Sequence, residues 1–303
     1  MPGEDGFAVC PRIRSLTATD NVADFMVTKL QQLSSPALEL LQIASCMGYQ
    51  FDRHSLARIA GLSPAACASG LAELVRYGLL IPVDPAAPLL AIGPSLRTQD
   101  SDQAHESSSG PEQASVAPAS ALYKFLHERV QHAAYITFDD ARRQEIHVRL
   151  GRLRLSEHAA EIPTSGLFEL VNHFNLGRRS LNPDTQAPEL LKIAQLNLTA
   201  GLRAKDAAAF ENAASFFATG VVVLTESDWE LHHDLAFQLS LERAHCDGLI
   251  GRFDEANEQL KALFNRAHSR VERGLIHLRR CELHTTRADF AGATELGLQG
   301  LRQ

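Results

Sequence analysis

The sequence predicts an all-α fold in which a small helical unit with one β-hairpin is followed by an array of helical hairpins. Three observations lead to this prediction. Apolar residues recur at helical spacing through most of the chain, three helical segments precede one short strand, and a six-residue frame recurs three times in the second half.

Composition is that of an ordinary globular protein of about two domains. The 303 residues are 45% hydrophobic and carry a net charge of −7. Sequence-independent binding of nucleic acid needs clustered cations, so no nucleic-acid partner is expected. The five cysteines are scattered and form no CxxC pair, and the N-terminus lacks the apolar core of a secretory signal, which together predict a cytoplasmic protein. No apolar run reaches about 20 residues, so no membrane contact is expected.

The first unit is predicted at 19–136, after an N-terminal segment, 1–18, that lacks periodicity and is expected to be disordered. Asp20 and Ser63 are expected N-caps, and Pro36 stands in a favoured first-turn position. Helices are expected at 20–33, 36–47, 53–60 and 63–78. A strand at 79–83 then completes the element order of a winged helix.

The returning strand of the hairpin is expected at Leu122–Phe125, long after the first strand. Between them, 97–120 is rich in Ser, Gln, Ala and Pro, and it cannot bury enough apolar surface to offset its ordering entropy. We expect a disordered insertion at the wing tip. The hairpin tolerates it because the cost of loop closure grows only logarithmically with length.

The second unit is predicted at 137–303 as a run of helices separated by short breaks. After a helix at 127–136, which ends the first unit, helices are expected at 139–158, 165–179, 187–205, 208–224, 228–248, 254–268, 271–287 and 290–302. A frame, small-x-Phe-x-x-Ala, recurs at Phe210, Phe253 and Phe290, which are 43 and 37 residues apart. These distances are close to the ~34-residue period of tetratricopeptide repeats. Each Phe is expected to begin the second helix of a hairpin and to lie in the core, and the Ala lets the paired helices approach closely.

Several segments resemble one known family, most specifically Phe125–Tyr135 (Phe-Leu-His-Glu-Arg-Val-Gln-x-Ala-Ala-Tyr). The matching segments are 19–30, 41–56, 123–135, 146–152, 167–175 and 196–205. They resemble the region after the ATPase core of large signalling proteins that combine a serine/threonine-kinase-like domain, a STAND-type (AAA-like) ATPase, helical repeats, a GAF domain and a sensor histidine kinase. The resemblance implies a winged helix that docks on a nucleotide-binding core, followed by tetratricopeptide-like repeats. The ATPase and kinase domains have no counterpart in this sequence, so we expect an internal part or a truncated product of such a protein.

No catalytic, cofactor-binding or metal-binding motif is present. The sequence has no GxxxxGK[ST] phosphate loop, no GxGxxG turn, and neither the His-Arg-Asp nor the Asp-Phe-Gly triplet of a protein kinase. His127-Glu128 resembles the start of a zinc-protease helix, but Gln131 stands where the second His is required. The pairs His245-Cys246 and Cys281-x-x-His284 are expected to be core residues rather than zinc ligands. We therefore expect no enzyme activity, no cofactor and no metal.

DNA binding by a winged-helix transcriptional regulator, with a tetratricopeptide-like sensor domain, is the alternative. Its reading helix would lie at 63–77, where the only cation is Arg76, opposed by Glu73. A basic cluster lies further along the chain and is expected to be a solvated face or a contact surface for an acidic partner. Its residues are Arg142, Arg143, Arg149, Arg152 and Arg154.

The favoured interpretation is a non-catalytic interaction and regulatory module of a signal-transduction ATPase or kinase. The repeats would act as a scaffold, and the partner would be another protein or the upstream ATPase and kinase domains. The concave side of the repeats is the expected binding face. Candidate partner-binding residues are Asn197, Arg203, Lys205, His232, His233, Glu242 and Arg243. The last repeat has no polar capping helix, which predicts either truncation or a homodimer through the C-terminal repeat.

Overall fold

The structure is a computed structural model that describes residues 29–83, 121–157 and 163–301. It divides into two compact units, 1–143 and 144–303. The described residues are mostly helical and include one small sheet, which confirms the all-α prediction. The predicted disordered segments 1–18 and 97–120, and most of the predicted helix at 20–33, lie outside the described residues.

Side-chain caps determine where the first three helices begin. The helices are α1 (Ser35–Met47), α2 (Arg53–Ala60) and α3 (Pro64–Arg76). Ser34, Asp52 and Ser63 precede them, and their side-chain oxygens accept a backbone N–H three residues ahead at 3.3, 2.8 and 3.2 Å. Gly61 ends α2 in the left-handed region, at φ 68°. The local signals in the sequence therefore place these helices as predicted.

A three-stranded antiparallel sheet completes the first unit, in the spatial order β1-β3-β2. The strands are β1 (Gln50–Asp52), β2 (Leu80–Pro82) and β3 (Leu122–Phe125). The hairpin of β2 and β3 is where the sequence predicts it, but the expectation of only two strands is wrong. β1 is three residues long, too short for an alternating pattern, and it pairs Phe51 with Tyr123.

The core of the first unit draws on every one of these helices and on the sheet. Leu41 of α1, Leu56 of α2, Leu74 of α3 and Phe125 of β3 are fully buried. Helix α4 (Glu128–Thr137) packs on α1 and buries Val130.

The second unit is a series of antiparallel helical hairpins. Helix α5 (Asp140–Glu157) spans the division between the units, and the others follow: α6 (Thr164–Gly177), α7 (Pro183–Asp206), α8 (Phe210–Val222), α9 (Glu226–Leu231), α10 (His233–Leu249), α11 (Phe253–Phe264), α12 (Arg270–Thr286) and α13 (Phe290–Leu301). The hairpins are α7/α8, α10/α11 and α12/α13, and the first helices α7, α10 and α12 pack side by side. The single helix expected at 228–248 is two helices, because His232 breaks it at φ −129° and ψ 44°.

Each of the three hairpins turns through the same backbone conformation. Ala208, Gly251 and Ala288 have φ of 57°, 86° and 59°, and each stands two residues before the Phe of the frame. At each turn this residue donates to the carbonyl three residues back, and its successor donates to the carbonyl five residues back, with lengths between 2.8 and 3.1 Å. The first residue of the frame is therefore small because the chain adopts a left-handed conformation there.

Helices α8, α11 and α13 begin at Phe210, Phe253 and Phe290, as the frame predicts. The core placement of these rings is only partly right. Phe210 and Phe253 are half-buried, and Phe290 is 65% exposed, so its assignment to the core is wrong. The guanidinium of Arg287, at the end of the next hairpin's first helix, lies 5.6 Å from the Phe253 ring and covers it. No described hairpin follows Phe290 to do the same.

Small residues allow the helices of the array to approach closely. Ala213 and Ala256, the last residues of the first two frames, are fully buried as predicted. A Cβ on Gly201 of α7 would lie 2.4 Å from the Phe217 ring of α8. The spacing of 43 rather than 37 residues between the first two frames also has a structural cause, since the six-residue helix α9 is inserted there.

Candidate interaction surface

A row of charged side chains crosses the first helices of the three hairpins. Lys205 of α7 forms an ion pair with Glu242 of α10, and a Glu242 carboxylate oxygen lies 3.9 Å from the Arg279 guanidinium of α12. His245 Nε2 of α10 lies 3.8 Å from the Glu282 carboxylate of α12, which pairs with Arg279 at 2.8 Å. We call these five residues the polar ladder. It links α7, α10 and α12 through the alternating cations and carboxylates of Lys205, Glu242, Arg279 and Glu282, and the His245 imidazole lies beside the two carboxylates.

Helical spacing produces this arrangement. Glu242 and His245 are three residues apart on α10, and Arg279 and Glu282 are three residues apart on α12, so each pair occupies one face of its helix. The repeat then brings the two faces together, because Glu242 and Arg279 are both nine residues before the left-handed residue of their hairpin turn.

Glu242 is the buried centre of the ladder, with a residue exposure of 9%. Burial raises the pKa of its carboxyl group, but the neighbouring His245, Lys205 and Arg279 groups outweigh this effect and lower the pKa to about 2. Glu242 is therefore a carboxylate at neutral pH, as its position between two cations requires. The outer end of the ladder is more accessible, since the Glu282 side chain is 42% exposed.

Of the candidate residues, Lys205 and Glu242 lie in the ladder, and Arg203 is half-buried on α7. Arg243 instead lies 3.7 Å from Asp247, a buried carboxylate on the same helix. Asp247 also accepts hydrogen bonds from Arg252 at 3.2 Å and from Gln259 at 2.9 Å. This second group holds the α10/α11 hairpin together.

The expectation that Asn197 lies on an exposed binding face is wrong. Its side chain is fully buried and forms two reciprocal hydrogen bonds of 2.9 Å with the Asn175 amide of α6. Its Nδ2 group also donates to the carbonyl of Ile193 at 2.9 Å. Without a structure, helical periodicity alone does not show which face of α7 meets α6, and an Asn is compatible with either environment.

The two candidate histidines lie where α10 begins, nine or more residues before Glu242, the first ladder residue of that helix. His232 forms the break between α9 and α10. The His233 ring stacks on the His268 ring with centroids 3.7 Å apart, and its Nε2 atom lies 3.0 Å from the Glu272 carboxylate. Burial raises the pKa of Glu272, but backbone N–H donors of His268 and Ser269 and the His233 side chain lower it below its ordinary value. This cluster anchors the start of α12 to the start of α10.

A cleft of about 800 Å³, which the sequence analysis missed, lies beside the end of α7 between α6 and α8. The rings of Phe168 on α6 and Phe216 on α8 stack across it with centroids 5.7 Å apart. Asn172, Asn175 and Asn212 contribute amides to its lining, together with Arg178 just beyond α6. A signal for this cleft exists in the sequence, because Phe168, Asn172 and Asn175 recur at i, i+4 and i+7.

The basic cluster is largely neutralised by carboxylates. Arg152 forms a bidentate pair at 2.8 and 2.6 Å, and Arg142, Arg143 and Arg154 each lie within 3.2 Å of a carboxylate oxygen. The partners are Glu39, Asp140, Glu157, Glu169 and Glu189. The side chains of Arg142 and Arg152 are 44% and 50% exposed, so these two arginines lie on a solvated face, as one of the two expectations had it, and neighbouring carboxylates pair the charges.

In the parts of the chain that the structure describes, no three His, Cys, Asp or Glu side chains form a group that could hold a metal ion. Cys246 is buried, which raises its thiol pKa to about 11, and the Cys281 thiol lies 3.4 Å from the carbonyl of Ala293. No helix within the described ranges combines the length and the apolar character that crossing a bilayer requires.

The chain is similar to one curated protein, the "Hybrid signal transduction histidine kinase G" of Dictyostelium discoideum. The two are 25% identical over 319 residues, an alignment that covers 96% of this chain and 9% of the relative. The chain thus spans less than a tenth of the relative's length. No protein-family model and no solved structure matches it. The similarity is distant, and it indicates a relation to signal-transduction kinases.

Proposed function

We propose that this chain is a non-catalytic interaction and regulatory module of a signal-transduction protein. In this proposal, α7/α8, α10/α11 and α12/α13 form a tetratricopeptide-like solenoid that acts as a scaffold for a protein partner or for a kinase or ATPase domain. The observation that carries it is the polar ladder, which combines three successive first helices into one charged surface. The similarity to a hybrid histidine kinase along 96% of the chain supports the signalling context.

The first unit has the role of a winged-helix-like docking piece in this proposal. Its element order, α1-β1-α2-α3-β2-β3, and its sheet order, β1-β3-β2, support the winged-helix assignment. DNA binding receives no comparable support. On α3, Glu73 accepts hydrogen bonds from the backbone N–H and hydroxyl of Ser34 at 3.0 and 2.8 Å, and its negative charge would face phosphate unfavourably.

The ladder is a suitable contact surface because its inner and outer parts differ. Its inner carboxylate, Glu242, is buried between cations and fixes the relative positions of α7, α10 and α12. Its outer carboxylate, Glu282, is 42% exposed and can exchange its contact with Arg279 for a contact with a partner's cation. The ladder therefore presents a charged partner with a surface whose geometry is already set.

A chimera of the Dictyostelium kinase tests the scaffold role. The segment that aligns with this chain is deleted, replaced by this chain, or replaced by this chain with Glu282→Lys, and histidine autophosphorylation is measured. We expect the deletion to change autophosphorylation, the intact chain to restore it, and Glu282→Lys to fail. The matched control is Glu258→Lys on α11, a second-helix carboxylate with a side chain that is 71% exposed, and it should restore the activity. An unaltered activity after deletion, or equal failure of both variants, would contradict the proposal.

Two assays on the purified chain test the other functional classes. ATP should not be hydrolysed, because the sequence has no phosphate loop. Random duplex DNA, followed by fluorescence anisotropy at low salt, should not bind. Clear hydrolysis would require an enzyme assignment, and strong binding that falls steeply with salt would favour the DNA-binding alternative.

A further inference from the structure

We propose that the cleft between α6 and α8 binds an extended polypeptide segment that presents a carboxylate group. The proposal rests on the proposed interaction role and names the chemistry of one partner. It concerns a different surface from the polar ladder, since α6 and α8 contribute no ladder residue. The shape of the cleft, its prearranged amides and the charge of its lining support this assignment.

The cleft has the size and composition of a binding site. Its volume of about 800 Å³ falls within the ~300–1,000 Å³ of ligand pockets. The stacked rings of Phe168 and Phe216 supply an apolar base, and Phe216 itself is 9% exposed. Around this base stand three amides and a guanidinium, together with Leu176 and the small side chains of three alanines. Apolar contact with a few directed polar groups is the usual basis of specific recognition.

The amide of Asn175 is held in one orientation. The Ile193 carbonyl can only accept, so the Asn197 group that faces it is Nδ2, and this fixes Asn197 Oδ1 toward Asn175. Asn175 therefore uses one N–H and one oxygen lone pair in the buried pair and keeps one of each for a ligand. A peptide unit needs this combination, one acceptor for its N–H and one donor for its carbonyl.

The neighbouring amide extends the same pattern. Asn172 is exposed and precedes Asn175 by three residues, so the two Cβ atoms are about 5–6 Å apart on one face of α6. An extended chain repeats every two residues at about 6.6–6.8 Å. The flexible amide side chains bridge this small difference, and Asn212 provides a third amide from α8. An extended backbone along the cleft thus meets amides on both walls.

The charge of the lining selects a carboxylate. The chain as a whole carries a net charge of −7, yet no Asp or Glu lines this cleft. Arg178 donates to the carbonyl of Asn175 at 2.5 Å, and no carboxylate of the described residues lies within ion-pair distance of its guanidinium. A guanidinium that is fixed by one hydrogen bond and lacks an anionic partner binds a carboxylate well. A single cation is too little for nucleic acid, which needs several phosphate contacts.

Fluorescence anisotropy with four fluorescein-labelled nonapeptide pools tests the proposal on the full chain. The peptides carry either Glu or Gln at alternating positions. Each of these two designs is made once with a free C-terminus and once with an amidated one, which gives the four pools. We expect the Glu pools to bind at least tenfold more tightly than the amidated Gln pool. Binding of the Gln pool only with a free C-terminus would identify the terminal carboxylate as the recognised group. Equal binding of all pools, or no binding, would overturn the proposal.

Three variants assign the binding to the cleft. Arg178→Gln and Asn212→Ala should each weaken binding of the Glu pool tenfold or more, whereas Arg179→Gln, at the exposed neighbouring residue, should not. Arg178 also contacts the end of α6, so Asn212, on another helix, keeps the test independent of local unfolding. Loss of binding in Arg179→Gln, or retention in Asn212→Ala, would contradict the assignment. A chimera that regulates the kinase while the peptides fail to bind would refute the cleft proposal alone.

Discussion

The left-handed residue of each hairpin turn favours Gly over Ala. Replacing Gly251 by Ala should therefore destabilise the chain, and replacing Ala208 or Ala288 by Gly should stabilise it. Gly251 has φ 86°, and a Cβ placed there would meet no atom within 4 Å. Any cost of Gly251→Ala is therefore conformational and not steric. Placing a non-glycine residue in this region costs about 1–2 kcal/mol, and the lower entropy of the unfolded Ala chain returns about 0.4–1 kcal/mol. We expect a net destabilisation of about 1 kcal/mol.

The other two turns should respond with the opposite sign. Ala208 and Ala288 already occupy the left-handed region, at φ 57° and 59°, so Ala208→Gly and Ala288→Gly should each stabilise the chain by up to about 1 kcal/mol. Gly274, in the second turn of α12, is a matched control, because a Cβ there also meets no atom within 4 Å but its φ is ordinary. Gly274→Ala should stabilise by about 0.5–1 kcal/mol.

Thermal and urea unfolding, followed by far-UV circular dichroism, measure these four variants. For a unit of about 150–250 residues, 1 kcal/mol corresponds to a shift in Tm of about 2–4 °C. Gly251→Ala should lower the Tm by this amount, and the three other variants should raise it. If Gly251→Ala and Gly274→Ala shift the Tm in the same direction, the conformational argument is wrong.

Three further outcomes follow from the packing and charges of the second unit. The pKa of Glu242 is about 2 in the folded chain against an ordinary 4.5. Ionised Glu242 therefore contributes about 3 kcal/mol to the free energy of unfolding above pH ~4.5, and this contribution is lost as the pH falls toward 2. Glu242→Gln should reduce the fall in stability between these pH values, measured by urea unfolding at a series of pH values. Gly201→Ala places a Cβ 2.4 Å from the Phe217 ring and should cost about 1–3 kcal/mol in urea unfolding, and a neutral result would contradict this close packing. Asn197→Leu leaves the Asn175 amide without its buried partner and should cost about 1–3 kcal/mol of stability. The double variant Asn197→Leu/Asn175→Leu should cost less than the sum of the two single variants. Additive costs would argue against the reciprocal pair.

Local chemistry made much of the fold predictable. Ser63 caps the helix whose start it indicates, and the frame at Phe210 and Phe253 locates the hairpin turns. These signals act over a few residues and depend little on the rest of the chain. The same frame did not reveal its left-handed position, since Ala occupies it twice and Ala has no preference for that conformation.

Features that depend on distant partners could not be predicted. Strand β1 exists because β3, more than 70 residues later, pairs with it. The burial of Asn197 depends on which face of α7 meets α6, and the cleft depends on how α6 and α8 are oriented. Lys205 and Glu242 were candidates as residues of first helices on the expected concave side, and only the stacking of α7 on α10 shows that they pair with each other.

The order of charges along the polar ladder also distinguishes one hairpin from another. Lys205 and Arg279 are both cations, and Glu242 is the anion between them. If the α10/α11 hairpin were removed, or exchanged with α12/α13, Lys205 would face Arg279 instead of Glu242, and two like charges that face each other cost free energy. The ladder thus gives each hairpin an assigned place, so that an array of similar units can be assembled in only one sequence.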